Sequence, residues 1–133
     1  MNEPAELWYR FAQEDLRAAE ILFREEMYNQ VCFHSQQATE KALKAVIVKL
    51  LGTSPPRVHA LTDLLRMIPP RYFSTVRSAI IGFLDVFYLP VRYPDALPGM
   101  APDGLPGGKE AEEALELART AMGETAQILA IHT

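Results

Sequence analysis

The stretch from Tyr28 to Leu51 limits the fold more than any other, because it reads as one long helix that is apolar on several sides. At about 100° per residue, Val31, Ser35, Ala38, Ala42, Ala45 and Val46 share a face of small residues that lets a neighbouring helix approach closely. Phe33, Leu43, Ile47 and Leu51 make further sides apolar. A helix of that kind cannot lie on the surface and is expected at the centre of the domain. Gly52 tolerates the left-handed geometry of a helix end, and Pro55-Pro56 prevent continuation.

The other segments supply helices to pack around it. Trp8, Phe11, Ala18 and Leu22 recur at helical spacing, with Ala12, Leu16, Ala19 and Phe23 beside them, and predict a helix from Pro4 to about Arg24 that Asp15 interrupts on its apolar face. His59 to Leu65 reads as a short helix ended by Pro69-Pro70. Phe73, Val76, Ile80, Phe83 and Phe87 predict a long helix from about Arg71 to Tyr88, closed by Pro90. A last helix is expected from about Lys109 to Ala130, with Ala111, Leu115, Ala118, Met122 and Leu129 inward and Glu110, Glu112 and Glu113 in the first turn, where the helix dipole favours acids.

No strand alternation, internal repeat or second domain is legible. The expectation is therefore all-α: an up-and-down antiparallel bundle of four long helices plus one short helix, a single domain over residues 1–133. Between the last two helices, residues 89–108 carry five prolines and four glycines and are expected to be irregular. Loops of that length in compact domains are usually functional or disordered.

At 133 residues and 49% hydrophobic content, one core is expected. No apolar run approaches the roughly 20 residues of a membrane span, and Met1-Asn2-Glu3-Pro4 lacks the order of a secretion signal, so a cytoplasmic location is expected. The lone Cys32 can form no internal disulfide, and no metal-ligand spacing or glycine fingerprint after a strand is present, so neither metal nor cofactor is implied. A net charge of −4 argues against a protein that coats nucleic acid. The charge is uneven, however. Residues 28–60 hold one acid and four bases, whereas residues 1–27 hold seven acids and three bases. Either the middle simply packs against acidic neighbours, or it carries a localised anion site.

The second reading has residues behind it. His34, Gln37, Lys41 and Lys44 fall within an arc of about 80° on the central helix. Unpaired buried charge is costly, so Lys41 must find a carboxylate, reach solvent, or face a groove where a ligand completes it. Asp15 and Asp95 are the candidate partners. The alternatives are a satisfied polar seam that sets helix register and an anion or nucleotide groove. Arg92-Tyr93-Pro94-Asp95 opens the irregular loop with a planar cation, a stacking ring and an acceptor able to orient the arginine; the same four residues can equally be a turn with a local ion pair. His59 follows two prolines and reads as a helix-entry side chain. Ser35 and Cys32 point away from His34 on the same helix, which argues against nucleophilic roles.

Taken together, Trp8, Asp15-Leu16, Ala18-Ala19-Glu20, the block Cys32-Phe33-His34-Ser35-Gln36-Gln37-Ala38-Thr39-Glu40-Lys41-Ala42-Leu43-Lys44-Ala45, His59-x-Leu61-x-x-Leu64 and Arg92-Tyr93-Pro94-Asp95 resemble the HEPN family. The resemblance implies an antiparallel helical bundle that dimerises, with a groove between protomers, often paired with a small nucleotidyltransferase as a toxin–antitoxin module. Carried over position by position, Asp15, His34, Gln37, Lys41, Arg92, Tyr93 and Asp95 match, and they imply a groove for nucleotide or RNA phosphate, to which Lys44 and Arg92 add positive charge. Many members are metal-independent RNases that use Arg, four to six residues, then His. This chain departs from that spacing, since one residue separates Arg57 from His59 and nine separate Arg24 from His34. Three functional expectations follow: a dimeric nucleotide- or RNA-binding module, an RNase with His34 as general acid/base and Arg92 beside it, or a purely structural interaction protein.

Overall fold

The computed structural model describes residues 3–87 and 106–131. They form an all-helical bundle: α1 Glu3–Arg24, α2 Tyr28–Leu51, α3 Leu61–Arg66, a mixed helical segment α4 over residues 77–87, and α5 Gly108–Ile131. Among the described residues there is no strand, and no helix is long and apolar enough to cross a membrane.

As its composition requires, α2 is the central element. Its residues from Ala42 to Val48 are buried in succession, which only a helix covered on every side can do. It packs along α1 and α5 through small residues: Ala12 and Ala19 of α1, Ala38, Ala42 and Ala45 of α2, and Ala114, Ala118 and Ala121 of α5 have no exposed surface. The bulky core lies toward α3 and α4, where Leu43, Ile47, Leu61, Leu64, Leu65, Phe73, Ile80, Leu84 and Phe87 are buried together. Each such side chain contributes roughly 1.5–3 kcal/mol through removal from water. Gly52 ends α2 in left-handed geometry (φ 69°), and its N–H donates to the Val48 carbonyl at 2.9 Å.

The turn from α1 to α2 reaches the same geometry without glycine. Glu26 has φ 58°, and the Met27 N–H closes back on the Leu22 carbonyl at 3.0 Å, which satisfies an end group of α1.

Of the helix expected from Arg71 to Tyr88, the described residues are helical from Arg77 to Phe87, and Tyr88 lies outside them. Upstream, the chain wraps around one guanidinium, because Arg77 donates to the carbonyls of Leu65, Ile68, Pro69 and Tyr72 at 2.8–3.2 Å. These acceptors belong to the end of α3 and the Pro69-Pro70 turn, so their satisfaction fixes a turn where periodicity alone predicted a helix. Phe73 takes φ 58°, buries its ring, and donates its N–H to the Glu124 carboxylate of α5. From there α4 is α-helical at Arg77–Ala79, widens to a π-helix at Ile80–Leu84 and tightens to 3-10 geometry at Asp85–Phe87. Asp85 consequently caps α3 from outside, accepting from the N–H of Leu61 (2.7 Å) and of Thr62 (3.3 Å) and from the Thr62 hydroxyl (2.9 Å).

Candidate functional site

The polar residues of α2 form a seam with two separate centres. The first is Asp15, which α1 directs at α2. Its Oδ1 lies 2.9 Å from His34 Nδ1 and its Oδ2 accepts from Lys41 Nζ at 2.5 Å. Lys41 and His34 are near neighbours on one face of α2, so a single carboxylate on the facing helix serves both. Burial by itself would raise the Asp15 carboxyl pKa. The hydrogen bonds and charges of His34 and Lys41 outweigh it and hold the group below the ordinary carboxylate range. Both oxygens are used. The imidazole and the ammonium remain 27% and 28% exposed, so this centre reaches the surface.

The second centre is Glu40, which the sequence reading did not single out. Its Oε2 accepts from Lys44 Nζ at 3.0 Å, and His59 Nδ1 lies 3.1 Å from the same oxygen. Lys44 and Glu40 are sealed, with side chains 6% and 4% exposed, and the ammonium also sits over the Trp8 ring at 5.2 Å. The second oxygen of Glu40 is buried and has no hydrogen-bond partner, as is the hydroxyl of Ser35. Between the centres, Gln37 donates to Gln36 Oε1 at 2.7 Å, and Gln36 donates to the His59 carbonyl at 3.4 Å. The expected stripe His34-Gln37-Lys41-Lys44 thus divides. His34 and Lys41 converge on Asp15, Gln37 pairs with Gln36, and Lys44 is spent on Glu40 and Trp8. Lys44, expected from sequence as a ligand-binding cation, is therefore buried and balanced by Glu40 instead of open to contact.

The signal for Glu40 was present as an i, i+4 acid–base pair, Glu40 to Lys44. What brings His59 to it is tertiary: the turn after Pro55-Pro56 and the cap that Asp85 places on α3. Arg92, Tyr93 and Asp95 lie outside the described residues. Cys32 is inert as a nucleophile, since burial, aided by the nearby Glu110 charge, pushes its thiol up to about 12. Among the described residues no group of three His, Cys, Asp or Glu is arranged to hold a metal ion.

A surface cavity of about 570 Å³ lies elsewhere, between the end of α2 and the residues following α3, with Leu51, Met67, Tyr72 and Arg77 among its lining. Its walls are mainly apolar, and of the three arginines that line it Arg77 is committed to carbonyls, Arg66 pairs with Asp63 and Arg71 donates to the Tyr72 hydroxyl. The seam is where charged side chains and a pair of imidazoles meet the surface, and for that reason the site is placed there.

An all-helical bundle with a charged seam on its central helix is the class these observations define, and the chain belongs to the HEPN family: the HEPN domain model matches residues 5–128. It is similar to TT1696 from Thermus thermophilus, whose crystal structure matches with a TM-score of 0.78 at 33% identity, covering 96% of this chain and 99% of that one. The archaeal HEPN homologue ST0689 matches with a TM-score of 0.71 at 31% identity, covering 93% and 97%. A shorter likeness, 43% identity over 44 residues, links the chain to the protein named Putative toxin MJ1304 of Methanocaldococcus jannaschii and spans 33% of this chain and 29% of that protein.

Proposed function

We propose that the chain is a dimeric nucleotide- or RNA-binding module, one half of a toxin–antitoxin-type pair whose other half is a small nucleotidyltransferase. The observation that carries the reading is the Asp15 centre: an imidazole and an ammonium held together on a helix whose middle is largely buried, yet both still reaching solvent. A cation kept at the surface of a covered helix is positioned for a phosphate, because the anion adds a second partner to a side chain already fixed in place. Asp15, His34, Gln37 and Lys41 are assigned to phosphate and ribose contact, and the resemblance adds Arg92, Tyr93 and Asp95 as further ligand-binding residues.

Homodimerisation is supported by Leu7, Phe11 and Ile21, large apolar side chains exposed on α1. The likeness to a protein named as a toxin supports the module reading.

Fluorescence anisotropy with labelled single-stranded RNA and with nucleoside triphosphates tests the binding. The expected outcome is saturable, salt-dependent binding that Lys41→Met abolishes. No binding by the unaltered chain at about 50 mM salt, where phosphate contacts are strongest, would refute it. Copurification of the chain with a nucleotidyltransferase encoded in the neighbouring reading frame tests the pairing.

A further inference from the structure

The cavity between the end of α2 and the residues following α3 pairs an apolar floor with positive charge. Among the described residues that line it are three arginines and no acid, in a chain whose net charge is −4. Leu65 and Ile68 are buried at its base, with Leu50 packed against the same core. Leu51 and Met67 also line it and remain 48% and 38% exposed, so apolar surface worth covering is left at its edge. The unbranched Met67 side chain can adapt to the shape of an incoming group.

Arg77 determines how the polar part of this wall can recognise anything. It takes the carbonyls of Leu65, Ile68, Pro69 and Tyr72 for itself, and Pro69 and Pro70 carry no N–H. The turn is thereby withdrawn from backbone pairing, which disfavours an added β-strand and leaves recognition to side chains. Arg66 pairs with Asp63 at 3.2 Å, but both partners are exposed, and such surface pairs contribute little and exchange readily with another carboxylate. Arg71 lies over the Tyr72 ring, 4.6 Å from its centroid, and donates to the Tyr72 hydroxyl at 3.2 Å. A stacked guanidinium is a planar fork already held in place, so a carboxylate that pairs with it orders little more.

We propose that this cavity is the docking site for an acidic, apolar peptide segment of a partner protein, which sets a large apolar side chain against Leu51 and Met67 and carboxylates against Arg66 and Arg71. Charge complementarity selects that partner. Lining cations without a lining acid call for an anion, and the apolar floor calls for that anion to be attached to an apolar body. A nucleic-acid strand would meet the guanidinia but would lay a polar sugar–phosphate backbone against Leu51 and Met67. A small amphipathic acid fits the shape poorly, because small-molecule sites enclose roughly 70–90% of their ligand, whereas this cavity lies open on the surface. A peptide can bury one anchoring side chain and leave the rest of its length on the rim. The docking surface is separate from the α2 seam, and either can hold without the other.

The experiment selects displayed random dodecapeptides on the immobilised full chain and then measures the most enriched peptide by fluorescence anisotropy. Expected are enriched sequences in which a large apolar residue is flanked by Asp or Glu, and binding that weakens between about 50 and 300 mM salt. Affinity should fall about tenfold or more in the double variant Arg66→Glu/Arg71→Glu, and about threefold or more in Leu51→Ser with the salt dependence kept. All three positions are exposed, and Arg77, which builds the turn, is left unaltered. Should circular dichroism show the double variant misfolded, Arg66→Gln/Arg71→Gln takes its place. Enrichment of no peptide, or of peptides without the acidic and apolar pattern, overturns the proposal, as does undiminished binding by the double variant. Displacement of the peptide by single-stranded RNA, together with loss of RNA binding in the double variant, assigns the cavity to nucleic acid and overturns it as well. RNA affinity unchanged in that variant, with peptide affinity lost, supports two separate surfaces.

Discussion

The Asp15 carboxylate bridges His34 and Lys41, at 2.9 Å and 2.5 Å, and so ties the middle of α1 to one face of α2 by a single acidic side chain. Because the carboxylate is the only acid at that junction among the described partners of either cation, removing it and removing one of its partners have different consequences.

Asp15→Ala leaves an ammonium and an imidazole side by side on a partly covered surface and should cost about 1–3 kcal/mol in urea unfolding at about pH 7. Lys41→Met leaves Asp15 bonded to His34 and adds apolar cover, so it should change stability by less than about 1 kcal/mol. The same Lys41→Met variant should lose RNA affinity. If it instead keeps its affinity, the seam is a structural lock and the chain an interaction protein.

The direction of the Asp15 shift also makes an acid-stability prediction. Its folded pKa is depressed, so its contribution is fully present above the unfolded value of about 3.9 and disappears as pH falls through the folded value. Between those two points the unfolded chain binds more protons, and stability rises with pH. The stability gap between the unaltered chain and Asp15→Asn should therefore be constant from about pH 5 to 7 and shrink below about pH 4. A gap unchanged down to about pH 2 would contradict the ion network.

Glu26 occupies left-handed backbone that favours glycine. Glu26→Gly relieves the clash of its Cβ at the cost of some unfolded-chain entropy and of a 3.3 Å hydrogen bond from Tyr28. A net gain of about 0.5–1 kcal/mol is expected from the strain relieved, read as a higher Tm.

Arg77 should be among the most sensitive positions outside the core. Arg77→Met strips donors from four carbonyls and should destabilise by about 2–4 kcal/mol. Arg77→Lys should rescue little of this, because one ammonium cannot reproduce the planar fork.

Cys32 should be silent toward a thiol reagent in the folded chain. With the thiol pushed up to about 12 and the side chain buried, labelling at about pH 8 should occur only at the rate of unfolding and become immediate in about 6 M guanidinium.

Sequence by itself determined the elements whose cause is local or periodic. Tyr28–Leu51 had to be a covered central helix because small and apolar residues occupy several of its sides, and Gly52 with Pro55-Pro56 marked its end within a residue. The Asp15–Lys41 pair was also legible, since a cation on a covered helix needs an acid and Asp15 interrupts an apolar stripe on the facing helix. Only the tertiary structure decided what depends on groups distant in the chain. Helical spacing from Phe73 to Phe87 cannot reveal that Arg77 draws four carbonyls of the preceding turn around itself, nor that Glu124 holds the Phe73 backbone in left-handed geometry. His59 looked like a helix-entry side chain for the same reason. Its meaning comes from Glu40, nineteen positions away, and from the Asp85 cap on α3. Periodicity states which face a residue occupies. It does not state which partner waits there, because hydrogen bonds and ion pairs act over a few ångströms in space, whatever the distance along the chain.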